Sequence, residues 1–236
     1  NFATGGTVGF KMPFQQAILA FGLGNLMLIV VAALLGIISC RTGLTTSVLA
    51  RKSMGGRSSA ILSSLLAVTA IIVVALWAQS AIRGVNGLEI VSWLGVPCAI
   101  VLTIACAIAI GAKAGYASVF AYTPPSDLQI SFAAGSTSFV GAWIFGCIVS
   151  PDVCRYAKSP KHVAVGAPIA VAIGLFGLEV IGIMTAQATR QSDFVPATAA
   201  LGLGVLVFFC AIFCVWTTQD NNIYSAGLAL QNVMKD

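Results

Sequence analysis

Trp216-Thr217-Thr218-Gln219-Asp220-Asn221-Asn222 follows an almost unbroken apolar run, Val195 to Val215. No turn is expected between the two, which predicts one helix from near Ala197 to near Asn232. At ~1.5 Å rise per residue such a helix is roughly 50 Å long, more than a bilayer needs even when tilted. The polar cluster then falls near mid-membrane. Thr217, Asn221 and Ser225 share one face at spacings of four, with Thr218 and Asn222 beside them. Lipid cannot satisfy these groups, so they are expected to face a bundle interior or a watery cavity. Hydroxyl and amide oxygens are hard ligands that suit a small hard cation. Interhelical hydrogen bonding is the competing reading. Six polar residues in a row, 217–222, favour a site.

Hydrophobic residues make up 58% of the 236 residues and charged residues 8%, with a mean hydropathy of +0.99. A soluble domain carries about 25% charged residues, so composition predicts an all-α integral membrane protein. The net charge of +5 sits in short loops. It reads as topology and not as nucleic-acid binding. None of the seven cysteines forms a Cys-x-x-Cys pair. Most lie in apolar runs and read as small buried residues. The one histidine, His162, cannot make a metal site alone. An enzyme is not expected: there is no Ser/His/Asp set, no His-Glu-x-x-His and no paired acids on one face. The chain starts in the polar, Gly-rich stretch Asn1-Phe2-Ala3-Thr4-Gly5-Gly6-Thr7 and stops just after a helix. It reads as a piece of a larger protein.

Taken in order, 1–236 reads as one transmembrane domain with spans near 14–40, 58–82, 90–112, 130–150, 163–188 and 197–232. Pro97 predicts a kink in the third span. The loop Arg41 to Arg57 holds four of the twelve basic residues and no acid, and the loop before His162 holds Arg155, Lys158 and Lys161. Both should face the cytoplasm. Three spans between them would place them on opposite sides. The simplest repair is one missing span, lost within 58–82, or one segment that does not cross.

Gly5-Gly6-Thr7, Arg41-Thr42-Gly43-Leu44-Thr45-Thr46 and Leu49-Ala50-Arg51-x-Ser53-x-Gly55 form a first block. Gly141-Ala142-Trp143, followed by Pro151-Asp152-x-x-Arg155-Tyr156-Ala157-Lys158-Ser159, forms a second. The stretch from Trp216 to Leu228 forms a third. Together they resemble the nucleobase–cation symporter family, cytosine permeases in particular. The resemblance implies a partial inverted-repeat transporter fold of five-plus-five type, with discontinuous helices and a site at mid-membrane. Parts of that pattern have no counterpart here: the front of helix one, the aromatic stretch of helix three and the helices beyond eight. After Thr69-Ala70-Ile71 the sequence resembles the back half of helix four, so Ile71–Ile72 marks the join.

The resemblance implies import of a nucleobase, foremost cytosine, coupled to sodium or to a proton. Thr217 and Thr218 match the family's sodium-binding hydroxyl pair. Trp143 matches an aromatic that stacks on the planar base, with Gly141 and Ala142 letting the backbone approach it. Gln219 and Asn221 offer amides that donate and accept, as a pyrimidine edge requires. Asp220 is an acid inside an apolar span and matches the motif. Glu179 is also such an acid, matches no motif, and reads as a protonated or pore-facing group. No cofactor is expected beyond the coupling ion. The expected setting is the cell membrane, multi-pass, with lipid and a small nucleobase as partners and the chain a monomer. Two alternatives stand beside this. One is a same-fold carrier of another nucleobase or of a hydantoin- or allantoin-like substrate. The other is an inactive truncated membrane remnant.

Overall fold

The computed structural model describes residues 2–46, 48–49 and 83–234. The expected span 58–82 and the Ile71–Ile72 join lie outside them. Among the described residues every regular element is helical. They are α1 (Phe2–Gly9), α2 (Phe14–Thr42), α3 (Val85–Lys113), α4 (Tyr116–Phe120), α5 (Phe132–Ile148) and α6 (Pro151–Cys154). There follow α7 (Pro160–Ile169), a π-helical segment (Ala170–Gly177), α8 (Leu178–Thr189), α9 (Phe194–Ala200) and α10 (Gly204–Met234).

Among the described residues five stretches are long and apolar enough to cross a membrane: Phe14–Thr42, Val85–Lys113, Phe132–Cys154, Pro160–Thr189 and Gly204–Met234. Helix α3 runs through Pro97. The π-helical segment begins two residues after Pro168, whose ring removes one N–H from the ladder. Large side chains such as Leu19, Trp93, Ile108, Ile173 and Val205 are exposed, as lipid-facing residues are.

The last helix departs from expectation. A single helix from near Ala197 is replaced by α9 and α10, with a break at residues 201–203. Gly202 has φ 80°, a left-handed conformation that glycine adopts without steric penalty. Its N–H bonds the Ala199 carbonyl at 2.8 Å, and Leu203 N–H bonds the Thr198 carbonyl at 3.1 Å. This pair of bonds is the Schellman stop. Apolar character continues through the break, so hydropathy does not reveal it.

The chain divides into two compact units, and each long helix contributes to both. The first holds residues 1–31, 98–145 and 167–211; the second holds 32–97, 146–166 and 212–236.

In the first unit the Gly-rich start is helix α1. Its glycines would disfavour an isolated helix by about 1 kcal/mol each. Tertiary packing overrides this. Gly5 lies against the Glu179 carbonyl, and Gly182 of α8 lies against the Phe2 carbonyl. No side chain intervenes, so the two backbones touch. Phe2 stacks on Phe194 with ring centroids 4.6 Å apart. Both belong to a core with Leu102, Cys106, Ile181, Val207 and Cys210. Gln187 Nε2 donates to the Gly9 and Met12 carbonyls at 2.9 and 3.1 Å. Tyr122 donates to the Phe10 carbonyl at 2.7 Å, and burial pushes its phenol above the usual range, against the pull of Arg190. Arg190 ends α8 at φ 59° with its guanidinium 4.9 Å over the Tyr122 ring.

No disulfide joins the cysteines among the described residues, and Cys106, Cys147 and Cys210 are buried.

Candidate functional site

In the second unit the polar stretch lies within α10, a continuous helix from Gly204 to Met234. Thr217 Oγ1 and Thr218 Oγ1 both donate to the Cys214 carbonyl at 2.9 Å. Each hydroxyl thus spends its one hydrogen on the helix backbone. What remains on each oxygen is acceptor capacity, the property a hard cation uses. Asn221 Nδ2 donates to the Thr217 carbonyl at 3.1 Å, leaving its amide oxygen as an acceptor. Thr218 and Asn221 are exposed, Thr217 and Gln219 half-buried, and Asp220 fully buried.

Helix α3 passes close to this stretch within the same unit. A Cβ built on Gly95 would lie 2.5 Å from Thr217 Cγ2 and 3.4 Å from the Phe213 carbonyl. Gly95 is therefore what lets α3 approach the threonine. It was not singled out from the sequence, because a glycine in an apolar span is common in membrane helices.

Gly141, Ala142 and Trp143 lie on α5 in the first unit. Gly141 and Ala142 are exposed, and a Cβ on Gly141 would meet nothing within 4 Å. Packing therefore does not require glycine there, and the backbone is open to approach. Trp143 is half-buried, and its indole Nε1 is buried without a hydrogen-bond partner among the described residues. A buried donor of this kind calls for an acceptor. The Trp143 and Thr217 groups belong to different units, and each is described in its own.

The motif blocks around the polar stretch meet in the second unit. Asp152 is buried and accepts from Thr46 N–H at 2.9 Å, with Ser225 as a further hydrogen-bond partner. Ser39 Oγ lies 2.7 Å from the carbonyl oxygens of both Leu44 and Pro151. Arg155 Nη2 donates to the hydroxyls of Tyr156 and Tyr224 at 2.6 and 2.8 Å. These contacts tie the end of α2, the α6 turn and the middle of α10 into one hydrogen-bonded knot. His162 Nδ1 pairs with Ser159 Oγ at 2.8 Å.

Five apolar spans and polar groups buried among them define a multi-pass helical membrane protein. The chain belongs to the family of permeases for cytosine/purines, uracil, thiamine and allantoin, whose sequence pattern matches residues 1–88 and 68–235. It is 27% identical over 263 aligned residues to the cytosine permease of Escherichia coli O157:H7. Identity is the same to the cytosine permeases of Escherichia coli strain K12 and strain O6:H1. Each alignment covers 98% of this chain and 61% of the relative, so the chain spans less than two thirds of their length. The family and these relatives are permeases and not enzymes.

Two details bear on the expectation of a lost span or a segment that does not cross. The alignment's 263 positions exceed the chain's 236 residues, so at least 27 positions (263 minus 236) face a gap in this chain. The two family matches also overlap at residues 68–88, where separate parts of the family pattern meet on the same residues.

Proposed function

We propose that this chain belongs to a secondary active transporter that imports a nucleobase, cytosine foremost, across the cytoplasmic membrane by symport with sodium. The observation that carries this reading is the Thr217–Thr218 pair. Both hydroxyls give their hydrogens to one backbone carbonyl inside a membrane helix and keep their lone pairs for a cation. Sodium binding by this pair is the coupling step. A proton is the alternative ion.

Trp143 presents its indole to the planar base, with Gly141 and Ala142 leaving room for it. Gln219 and Asn221 read the edge of the base through amide groups, and Asp220 orders the polar helix from within. The fold we assign is part of a five-plus-five inverted repeat acting as a monomer, with ion and substrate bound near mid-membrane.

Cytosine is favoured because the curated relatives are cytosine permeases. The family description also names purines, uracil, thiamine and allantoin, so another such substrate is the second reading. The gap in the alignment favours a third, an inactive remnant.

The test is uptake of labelled cytosine by proteoliposomes holding the purified protein, with and without an inward sodium gradient. Sodium-driven uptake, chased by unlabelled cytosine and not by uracil or purines, is the expected result. A chase by another base moves the substrate to that base. Absence of all uptake, from protein with the 24.3 kDa mass of this chain, overturns the transport reading in favour of the remnant.

A further inference from the structure

Asn25 on α2 and Glu179 on α8 meet inside the first unit. Their exposures are 3% and 0%, so both side chains are buried. This excludes the pore-facing reading of Glu179. Asn25 Nδ2 donates to Glu179 Oε2 at 2.9 Å and to the Phe21 carbonyl at 2.9 Å. Both hydrogens on that nitrogen are thereby used. The remaining oxygens of the pair, Asn25 Oδ1 and Glu179 Oε1, are buried and have no hydrogen-bond partner among the described residues.

Two unsatisfied acceptors on one side-chain pair lack a donor between them. A carboxylate here would also place a full charge in the membrane interior. Little in the surroundings balances it. Helices α1 and α9, packed against α8, carry no ionisable side chain, and α4 carries only Tyr116. Helix α5 has no acid or base beyond Cys147, and α2 has only Arg41 in its last turn and Cys40.

We propose that Glu179 and Asn25 form a proton-binding site within the membrane, in which one proton closes a cyclic acid–amide pair. The proton comes from solvent and bonds to Glu179 Oε1, and the carboxylate charge disappears in the same step. The new O–H donates to Asn25 Oδ1 while Asn25 Nδ2 continues to donate to Oε2. A single proton thus satisfies both orphaned oxygens. The backbone carbonyl of Glu179 is the one against which Gly5 packs, so loss of the proton would set a charge beside the α1–α8 contact.

The test is infrared spectroscopy of the full chain in lipid at neutral pH. Wild type is expected to show a carboxylic-acid carbonyl band that is missing in Glu179→Gln. The glutamine keeps one donor and one acceptor and so preserves the pairing geometry. Identical spectra would mean an ionised Glu179 and overturn the proposal. Asn25→Ala gives an independent readout. The acid band is expected to remain and move to higher wavenumber, because its carbonyl loses the N–H donor. A band that does not move overturns the pairing, even where Glu179→Gln fails to fold.

Discussion

The Asp152 carboxylate accepts the backbone N–H of Thr46 at 2.9 Å, joining residues 106 positions apart. Thr46 belongs to the loop after α2, Asp152 to the turn after α5, and Ser225 of α10 is a further partner of the same carboxyl. Three motif blocks scattered through the sequence are one buried hydrogen-bonded unit. Their residue types therefore answer to packing as well as to any role in transport.

Asp152→Ala should destabilise the protein. It leaves the buried Thr46 N–H unsatisfied, a cost of about 1–3 kcal/mol. Asp152→Asn keeps an acceptor oxygen and should cost less. Thermal unfolding in detergent measures both. Equal midpoints for wild type and Asp152→Ala would refute the role.

Gly95→Ala should strain the α3–α10 approach. Its Cβ would sit 2.5 Å from Thr217 Cγ2, and overpacking of this kind costs about 1–3 kcal/mol. Thr217→Ser removes that methyl and keeps the hydroxyl. The double variant should therefore recover much of the lost stability. Simple additivity of the two effects in the unfolding midpoint would argue against the contact.

Thr217→Ala should raise the sodium concentration needed for half-maximal uptake, by roughly ten-fold for the loss of about 1.4 kcal/mol of cation binding. Thr217→Ser should behave like wild type. Uptake measured across a sodium series decides, and an unchanged sodium requirement in Thr217→Ala would remove Thr217 from the ion site.

Trp143→Ala should weaken apparent substrate affinity by about ten-fold or more, since base–aromatic stacking is worth ~1–3 kcal/mol. Trp143→Phe keeps an aromatic face and should lose less. If competition assays show both variants equal to wild type, the indole neither stacks on the substrate nor donates to it.

The helical membrane character of the chain was legible because long charge-free runs such as Phe14 to Cys40 admit few other structures. The polar stretch at 217–222 was legible for the complementary reason, since polar groups in such a run demand partners. The stop at Gly202 was not legible. The run stays apolar across it, and the stop lies in a backbone angle that hydropathy does not encode. Helix α1 rests on packing: its glycines argue against a helix locally, and close contact with α8 favours one. Asn25 was one amide among apolar neighbours, and Glu179 an acid without a motif. Their pairing spans 154 positions.

Sequence by itself determined the class of element, the family and which polar residues stand in the membrane, because each follows from local composition and motif order. Tertiary structure alone decided which of those polar groups are spent on the protein and which stay open. Ser39 lies against the Pro151 carbonyl, Asp152 is held by Thr46, and Asn25 meets Glu179 with two oxygens left over. Hydrogen bonds are short and directional. Their partners come from other helices and other turns, and only the packed chain brings those within 3 Å of one another.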